Sequence, residues 1–202
     1  MAFIISADEI KKTLPGYSPA KSELFHRQSA KLADKTFEEA LKSRSEKTVI
    51  LMSGGTASGK SEYVSAYLAK LRLIVFDGTL PSFEGAKIKI KKTLKAGKKV
   101  EIHLVLPNDL LVAFIAFLNR ERKFSLGHFY RTHSSSRQTV LDIAQSFNDI
   151  PIKIFVSDVD YIGHRQTMTF KELKLNGRGE LIEFMKQNQY NEEEIIKAVF
   201  NL

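Results

Sequence analysis

The residues Gly54-Gly55-Thr56-Ala57-Ser58-Gly59-Lys60-Ser61 match the pattern G-x-x-x-x-G-K-[ST], whose chemistry is the binding of a nucleoside triphosphate. Each fixed residue has a physical task. Gly54, Gly55 and Gly59 let the backbone turn its N–H groups toward phosphate oxygens, and a helix opening at Lys60 adds its positive N-terminal end. Thr56, Ala57 and Ser58 complete the cradle. Lys60 offers an ammonium to the β- and γ-phosphates and Ser61 a hydroxyl to a metal ion, so ATP and Mg²⁺ are the expected cofactors. No N-K-x-D-like segment occurs, which argues against a guanine base.

Such a loop works only between a strand and a helix. Ahead of it Thr48-Val49-Ile50-Leu51-Met52 is β-rich and apolar, and behind it Glu62-Tyr63-Val64-Ser65-Ala66-Tyr67-Leu68 has helical spacing. The same periodicities predict strands at 3–6, 48–53, 73–77, 100–106 and 152–157. Helices are predicted at 20–42, 60–70, 82–96, 110–122, 134–147, 170–187 and 191–199. A basic loop falls between 122 and 134. Strands separated mostly by helices require right-handed crossovers and a parallel sheet covered on both faces. The expected fold is therefore an α/β three-layer sandwich of the P-loop NTPase type, with five mainly parallel strands in the order 1-3-2-4-5. Residues 1–202 read as one kinase-sized domain, with 167–202 as a C-terminal helical extension.

Ligands in such folds sit at the carboxyl ends of the strands, which directs attention to the residues placed there. These are Asp8, the phosphate loop, Asp77-Gly78-Thr79, Asn108 with Asp109, and Asp158 with Asp160. Asp77 closes the run Leu73-Ile74-Val75-Phe76, where an acid reaches Mg²⁺ beside Ser61; its other reading is a turn opener. Asp8 has two readings as well: a positioned carboxylate, or the N-cap of the turn Glu9-Ile10-Lys11-Lys12. The stretch 119–131 carries Arg120, Arg122 and Arg131 around Gly127, and arginine's planar fork suits transferring phosphoryl oxygens. Each arginine is equally readable as a surface residue. His128 and His133 read as loop hydrogen-bonders.

The N-terminal string Ser6-Ala7-Asp8-Glu9-Ile10-Lys11-Lys12-Thr13-Leu14-Pro15-Gly16-Tyr17, followed by His26-Arg27-Gln28-Ser29-Ala30-Lys31-Leu32-Ala33, resembles the zeta toxin family of kinases. The shared feature is a D-x-x-[KR] acid motif with a downstream proline and aromatic residue. With Gly54 to Ser61, Asp77-Gly78-Thr79 and the arginines, the resemblance spans most of residues 3–150. The order differs, because the family places the phosphate loop first, so the chain reads as a circular permutation. The resemblance implies that Asp8 is the general base, that Lys11 and Thr79 lie near the acceptor, and that the reaction phosphorylates a hydroxyl of a small molecule such as a UDP-amino sugar. An antitoxin-like protein partner is implied too. A nucleoside or polynucleotide hydroxyl kinase and a non-catalytic ATP-binding switch are the alternatives.

Charge and composition bound these readings. The 202 residues carry a formal net charge of +8 and no cysteine, which removes disulfides and cysteine-type zinc sites. The lysines cluster at Lys87, Lys89, Lys91, Lys92, Lys95, Lys98 and Lys99, a pattern that reads first as a solvated helix face and second as a polyanion contact, so nucleic acid is not favoured. Residues 2–5 and 110–118 are apolar but too short for a signal peptide or a bilayer span, and a cytoplasmic protein is expected.

Overall fold

Apolar side chains in Thr48–Ser53 alternate between two cores: Val49 and Leu51 join one, Ile50 and Met52 the other. That alternation makes this strand the middle of a sheet covered on both faces. The computed structural model describes residues 1–162 and 165–200. In chain order the elements are β1 Phe3–Ser6, α1 Ala7–Lys12, α2 His26–Ser43, β2 Thr48–Ser53, α3 Lys60–Tyr63, β3 Ile74–Asp77, α4 Phe83–Lys95, β4 Lys99–Pro107, α5 Leu110–Leu118, α6 Leu126–Ser146, β5 Ile152–Ile162, β6 Arg165–Glu172, α7 Arg178–Gln187 and α8 Glu192–Phe200. A π-helical turn, Val64–Leu68, continues α3.

The strands form one sheet ordered β1-β3-β2-β4-β5-β6. Neighbours from β1 through β5 are parallel, and β6 is antiparallel to β5. The expected order 1-3-2-4-5 is present, with β1 at the edge beside β3. The sixth strand corrects the five-strand expectation. It also corrects the helix placed at 170–187, which begins only at Arg178, so the stretch 167–202 opens as a strand before its two helices.

One face is packed by α2, α4, α6 and α7 through Phe37, Ile90, Ile143, Leu181 and Met185; the other holds α3 and its π turn through Tyr63, Val64 and Leu68. A third cluster joins α5, the start of α6 and α8 through Phe114, Phe117, Phe129 and Ile195. Three further helix boundaries differ from the sequence reading. α2 begins at His26 rather than 20, α5 stops at Leu118 rather than 122, and α6 starts at Leu126, eight residues before the expected 134. The last shift turns most of the expected basic loop, His128 and His133 included, into helix.

The lysine run is mostly a solvated face, with Lys91, Lys92, Lys95 and Lys99 exposed, but three of its members also tie the scaffold together. Lys89 pairs with Asp34 at 2.7 Å and Lys92 with Glu38 at 2.5 Å, tying α4 to α2. The buried Lys98 donates to the Arg44 and Glu46 carbonyls. Among the described residues no helix is long and apolar enough to cross a membrane.

Candidate active site

The phosphate loop leaves β2 and enters α3 through three unusual backbone conformations: Gly54 has φ +133°, Ala57 +61° and Gly59 +87°. Packing demands the first two glycines, and conformation demands Gly54 as well. A Cβ on Gly54 would strike the Val105 carbonyl of β4, and one on Gly55 would enter the His133 ring of α6. α6 and β5 then fasten the loop. His133 bonds the Thr56 carbonyl at 2.8 Å, Thr132 Oγ1 accepts from the Thr56 N–H at 3.1 Å, and Ser157 Oγ donates to the Ser58 carbonyl at 2.9 Å. Burial and the nearby Arg137 hold His133 well below the ordinary histidine range, so it is the neutral imidazole that bonds the loop.

Lys60 lies along its own loop, donating to the Gly55 carbonyl at 2.6 Å and to Ser58 Oγ at 3.4 Å. Burial pushes its ammonium down to about 8, although Asp77 pulls the other way. Ser61 Oγ donates to Asp77 Oδ2 at 2.9 Å, so the hydroxyl and carboxylate expected around a metal ion are already adjacent. Two hard oxygens beside a phosphate cradle fit Mg²⁺, which draws its remaining ligands from phosphates and water. Burial raises the Asp77 carboxyl above its ordinary value, only partly offset by Lys60 and the Ser61 bond. A bound cation would reverse that balance.

Across the cleft Asp8 stands at the start of α1, following edge strand β1. Its side chain does not cap the helix, which is preceded by Ser6 with no side-chain cap. Instead Asp8 Oδ1 meets Lys11 Nζ at 3.0 Å and Oδ2 meets Arg122 Nη1 at 2.6 Å. Burial alone would raise the Asp8 pKa, but Lys11 and Arg122 together hold it below the usual carboxylate value. Lys11 itself is 1% exposed and also lies over the Phe124 ring at 4.6 Å. Arg120 reaches the phosphate loop, donating to Thr56 Oγ1 at 3.2 Å.

These groups line one cleft of about 100 Å³ that includes Asp8, Lys11, Lys60, Ser61, Asp77, Thr79, Arg120 and Arg122. Four cations, Lys11, Lys60, Arg120 and Arg122, face three carboxylates there, Asp8, Glu62 and Asp77, a positive surplus that suits a triphosphate. Arg131 is not among the lining residues: it is exposed on α6. The helix that starts at Leu126 carries it away from the loop on which it was expected. Sequence reasoning missed an aromatic wall of Phe124, His128 and His26, with Phe124 stacked on His128 at 4.3 Å and His26 edge-on to His128 at 5.5 Å. Burial brings His128 down to about 4, aided by the His26 charge. Among the remaining strand-end acids, Asp109 caps α5 by accepting from the Leu111 and Val112 N–H groups, and Asp158 accepts from Asn108 Nδ2 at 3.2 Å. The Asp160 side chain lies outside the described residues.

No protein-family model and no curated protein matches the chain. Among solved structures, the crystal structure of AvrRxo1-ORF1:AvrRxo1-ORF2 with sulphate ions is similar at a TM-score of 0.50 and 12% identity, over 83% of this chain and 73% of that one. The native complex and the complex with ATP each align at 0.48, with 15% and 12% identity. They cover 89% and 90% of this chain and 81% and 80% of theirs. At this identity the first likeness shows a shared α/β fold.

Proposed function

We propose that the chain is a kinase that transfers the γ-phosphate of MgATP to a hydroxyl group of a small molecule. The observation that supports this reading best is the placement of Asp8 opposite Lys60 and the Ser61–Asp77 pair in one cleft, with Arg120 and Arg122 between. A nucleotide-binding loop alone needs no second acid. In this reading Lys60 and Arg120 hold phosphate oxygens, while Ser61 and Asp77 would hold Mg²⁺, which would supply charge neutralisation for the transfer. Arg122 leaves Asp8 for the transferred phosphoryl group, and the freed carboxylate accepts the proton of the attacking hydroxyl. Lys11, Thr79 and the Phe124–His128 wall border the acceptor.

The resemblance to zeta toxins supports a UDP-amino sugar as the acceptor to try first, a cytoplasmic setting and an antitoxin-like protein partner. The structurally similar AvrRxo1 protein was itself solved as a two-protein complex. We read residues 1–202 as one kinase unit closed by α7 and α8. A second reading, an ATP-gated switch without transfer, draws on the double ion pairing of Asp8.

The deciding experiment is an ATP-consumption screen against UDP-sugars, nucleosides and 5′-hydroxyl oligonucleotides, with mass spectrometry of the products. A product heavier by one phosphoryl group supports the kinase. Slow ATP hydrolysis that no acceptor accelerates supports the switch.

A further inference from the structure

Arg137 lies on α6, is only 3% exposed, and makes no ion pair among the described residues. Burying a guanidinium without a carboxylate is costly, and an apolar side chain of similar length would fill the same space without that cost. Its Nε has no hydrogen-bond partner among the described residues, and its Cζ lies 5.4 Å from the Tyr190 ring centre. The hydrogen bonds it does make all go to one residue. Nη1 donates to the His133 carbonyl at 2.9 Å and meets His133 Nδ1 at 3.4 Å. His133 in turn bonds the Thr56 carbonyl through Nε2 at 2.8 Å. Arg137 does not line the cleft, so it can act on the phosphate loop only through that ring.

We propose that Arg137 is a positioning residue for the phosphate loop, fixing the His133 proton on Nε2 and thereby aiming the Ala57 N–H into the cleft; the proposal rests on the MgATP reading given above. The place of the proton follows from what each partner can do. The Thr56 carbonyl only accepts, so Nε2 must donate; Arg137 only donates, so Nδ1 must be the bare nitrogen of a neutral ring. Burial and the Arg137 charge both oppose a second proton on that ring. Without Arg137 the Nδ1–H tautomer becomes available, and it would set a lone pair against the Thr56 carbonyl. In a planar trans peptide the carbonyl of one residue and the N–H of the next point in opposite directions. Holding the Thr56 carbonyl back against α6 therefore turns the Ala57 N–H away from α6, on the side where Ala57 lines the cleft. That N–H bonds no other described residue, which leaves it for a phosphate oxygen. Ala57 needs the hold: its φ of +61° is left-handed, a conformation that is costly for a residue with a Cβ and persists only where its surroundings enforce it.

The test reads the tautomer and the affinity separately on the full chain. Long-range proton–nitrogen NMR spectra of the wild-type protein should show a neutral His133 with its proton on Nε2. A proton on Nδ1, or on both nitrogens, at neutral pH would overturn the proposal. Titration calorimetry then measures binding of inorganic tripolyphosphate and of MgATP. Arg137→Met, similar in length but without a donor, should show mixed tautomers and bind both ligands about tenfold more weakly, the loss expected for one hydrogen bond to a charged oxygen. Arg137→Lys, which keeps a cationic donor, should retain the Nε2 proton and an affinity within about threefold of wild type. Unchanged affinity in Arg137→Met, or a loss of about tenfold in Arg137→Lys with the Nε2 proton still in place, would reduce Arg137 to a packing role. Should Arg137→Met not fold, the wild-type spectrum and the two readings on Arg137→Lys still decide. A wild-type chain that binds neither ligand would instead overturn the phosphate-loop reading, and the proposal with it.

Discussion

The two walls of the cleft are built on different principles. On the phosphate side eight consecutive residues form the site, and their backbone is fastened from behind by Thr132, His133 and Ser157. On the acid side Asp8, Lys11 and Arg122 come from α1 and from the α5–α6 connection, more than a hundred residues apart, and ion pairs hold them together, while Arg120 of the same connection reaches across to Thr56. The first wall is preorganised and changes little when charge arrives. The second is made of charges that neutralise one another, so a triphosphate must compete for them. On the kinase reading proposed above, binding belongs to the first wall, and chemistry begins when the second rearranges.

The largest effect that would break this contrast comes from the rigid wall. Lys60→Ala should lower turnover by about 10³-fold or more and weaken MgATP binding, because the ammonium meets charge on the transferred group. Steady-state kinetics and calorimetry check it, and near-normal turnover in that variant would sink the kinase reading. Asp8→Asn comes next. It should lower turnover by roughly 10²-fold with MgATP affinity nearly unchanged, since a positioned base is lost and the loop is untouched. A silent Asp8→Asn beside a crippled Asp77→Asn would move the acid role to the phosphate wall. Arg122→Ala should cost turnover about tenfold, the balance of a lost phosphate contact against a freed Asp8. Faster ATP turnover in that variant would instead identify the ion pair as a brake.

A smaller effect tests how buried the phosphate wall is before ATP arrives. Lys60 is held down to about 8 by burial, so at pH 8 about half of the ammonium groups are neutral. Triphosphate favours the charged form and raises that value. Binding near pH 8 should then take up about half a proton, and uptake should fade toward pH 6, where Lys60 is protonated already. Calorimetry in buffers of different ionisation enthalpy reads this directly. Equal enthalpies at pH 8 would mean that Lys60 is charged and solvated in the free protein.

The contrast also explains what the sequence made legible. The phosphate loop is local: its glycine positions, the strand before it and the acid closing β3 all appear in the linear pattern. The lysine run was legible as a solvated helix face for the same reason, and Lys91, Lys92 and Lys95 are exposed on α4, but its pairing with α2 through Asp34 and Glu38 was not. Asp8 is different: its place after the first strand pointed to the ligand end of the sheet, but its residues alone fit a helix cap as well as a positioned carboxylate, and only the family resemblance implied the base. His133 and Thr132 contact Thr56 across 77 and 76 residues, a pairing that no spacing rule reveals. Strand β6 was missed because Thr167-Met168-Thr169-Phe170 is a short alternation at a sheet edge, running directly into residues with helical spacing. The arginines were recognised by type and misplaced by context, since an early start of α6 was hidden in a polar, histidine-rich stretch.

Arg131 therefore provides the finest test of the two-wall picture. It shares the stretch 119–131 with Arg120 and Arg122, and composition gave no ground for treating it differently. The structure does: Arg120 and Arg122 precede α6 and face the cleft, whereas Arg131 is exposed in the second turn of that helix. Arg131→Ala should leave kcat, KM for ATP and the melting temperature within about twofold or its equivalent, as for an ordinary surface substitution. A tenfold loss confined to kcat would mean that the start of α6 moves into the cleft during turnover. The acid wall would then include a mobile helix end as well as a set of ion pairs, and Arg131 would rejoin the residues that act on the transferred phosphate.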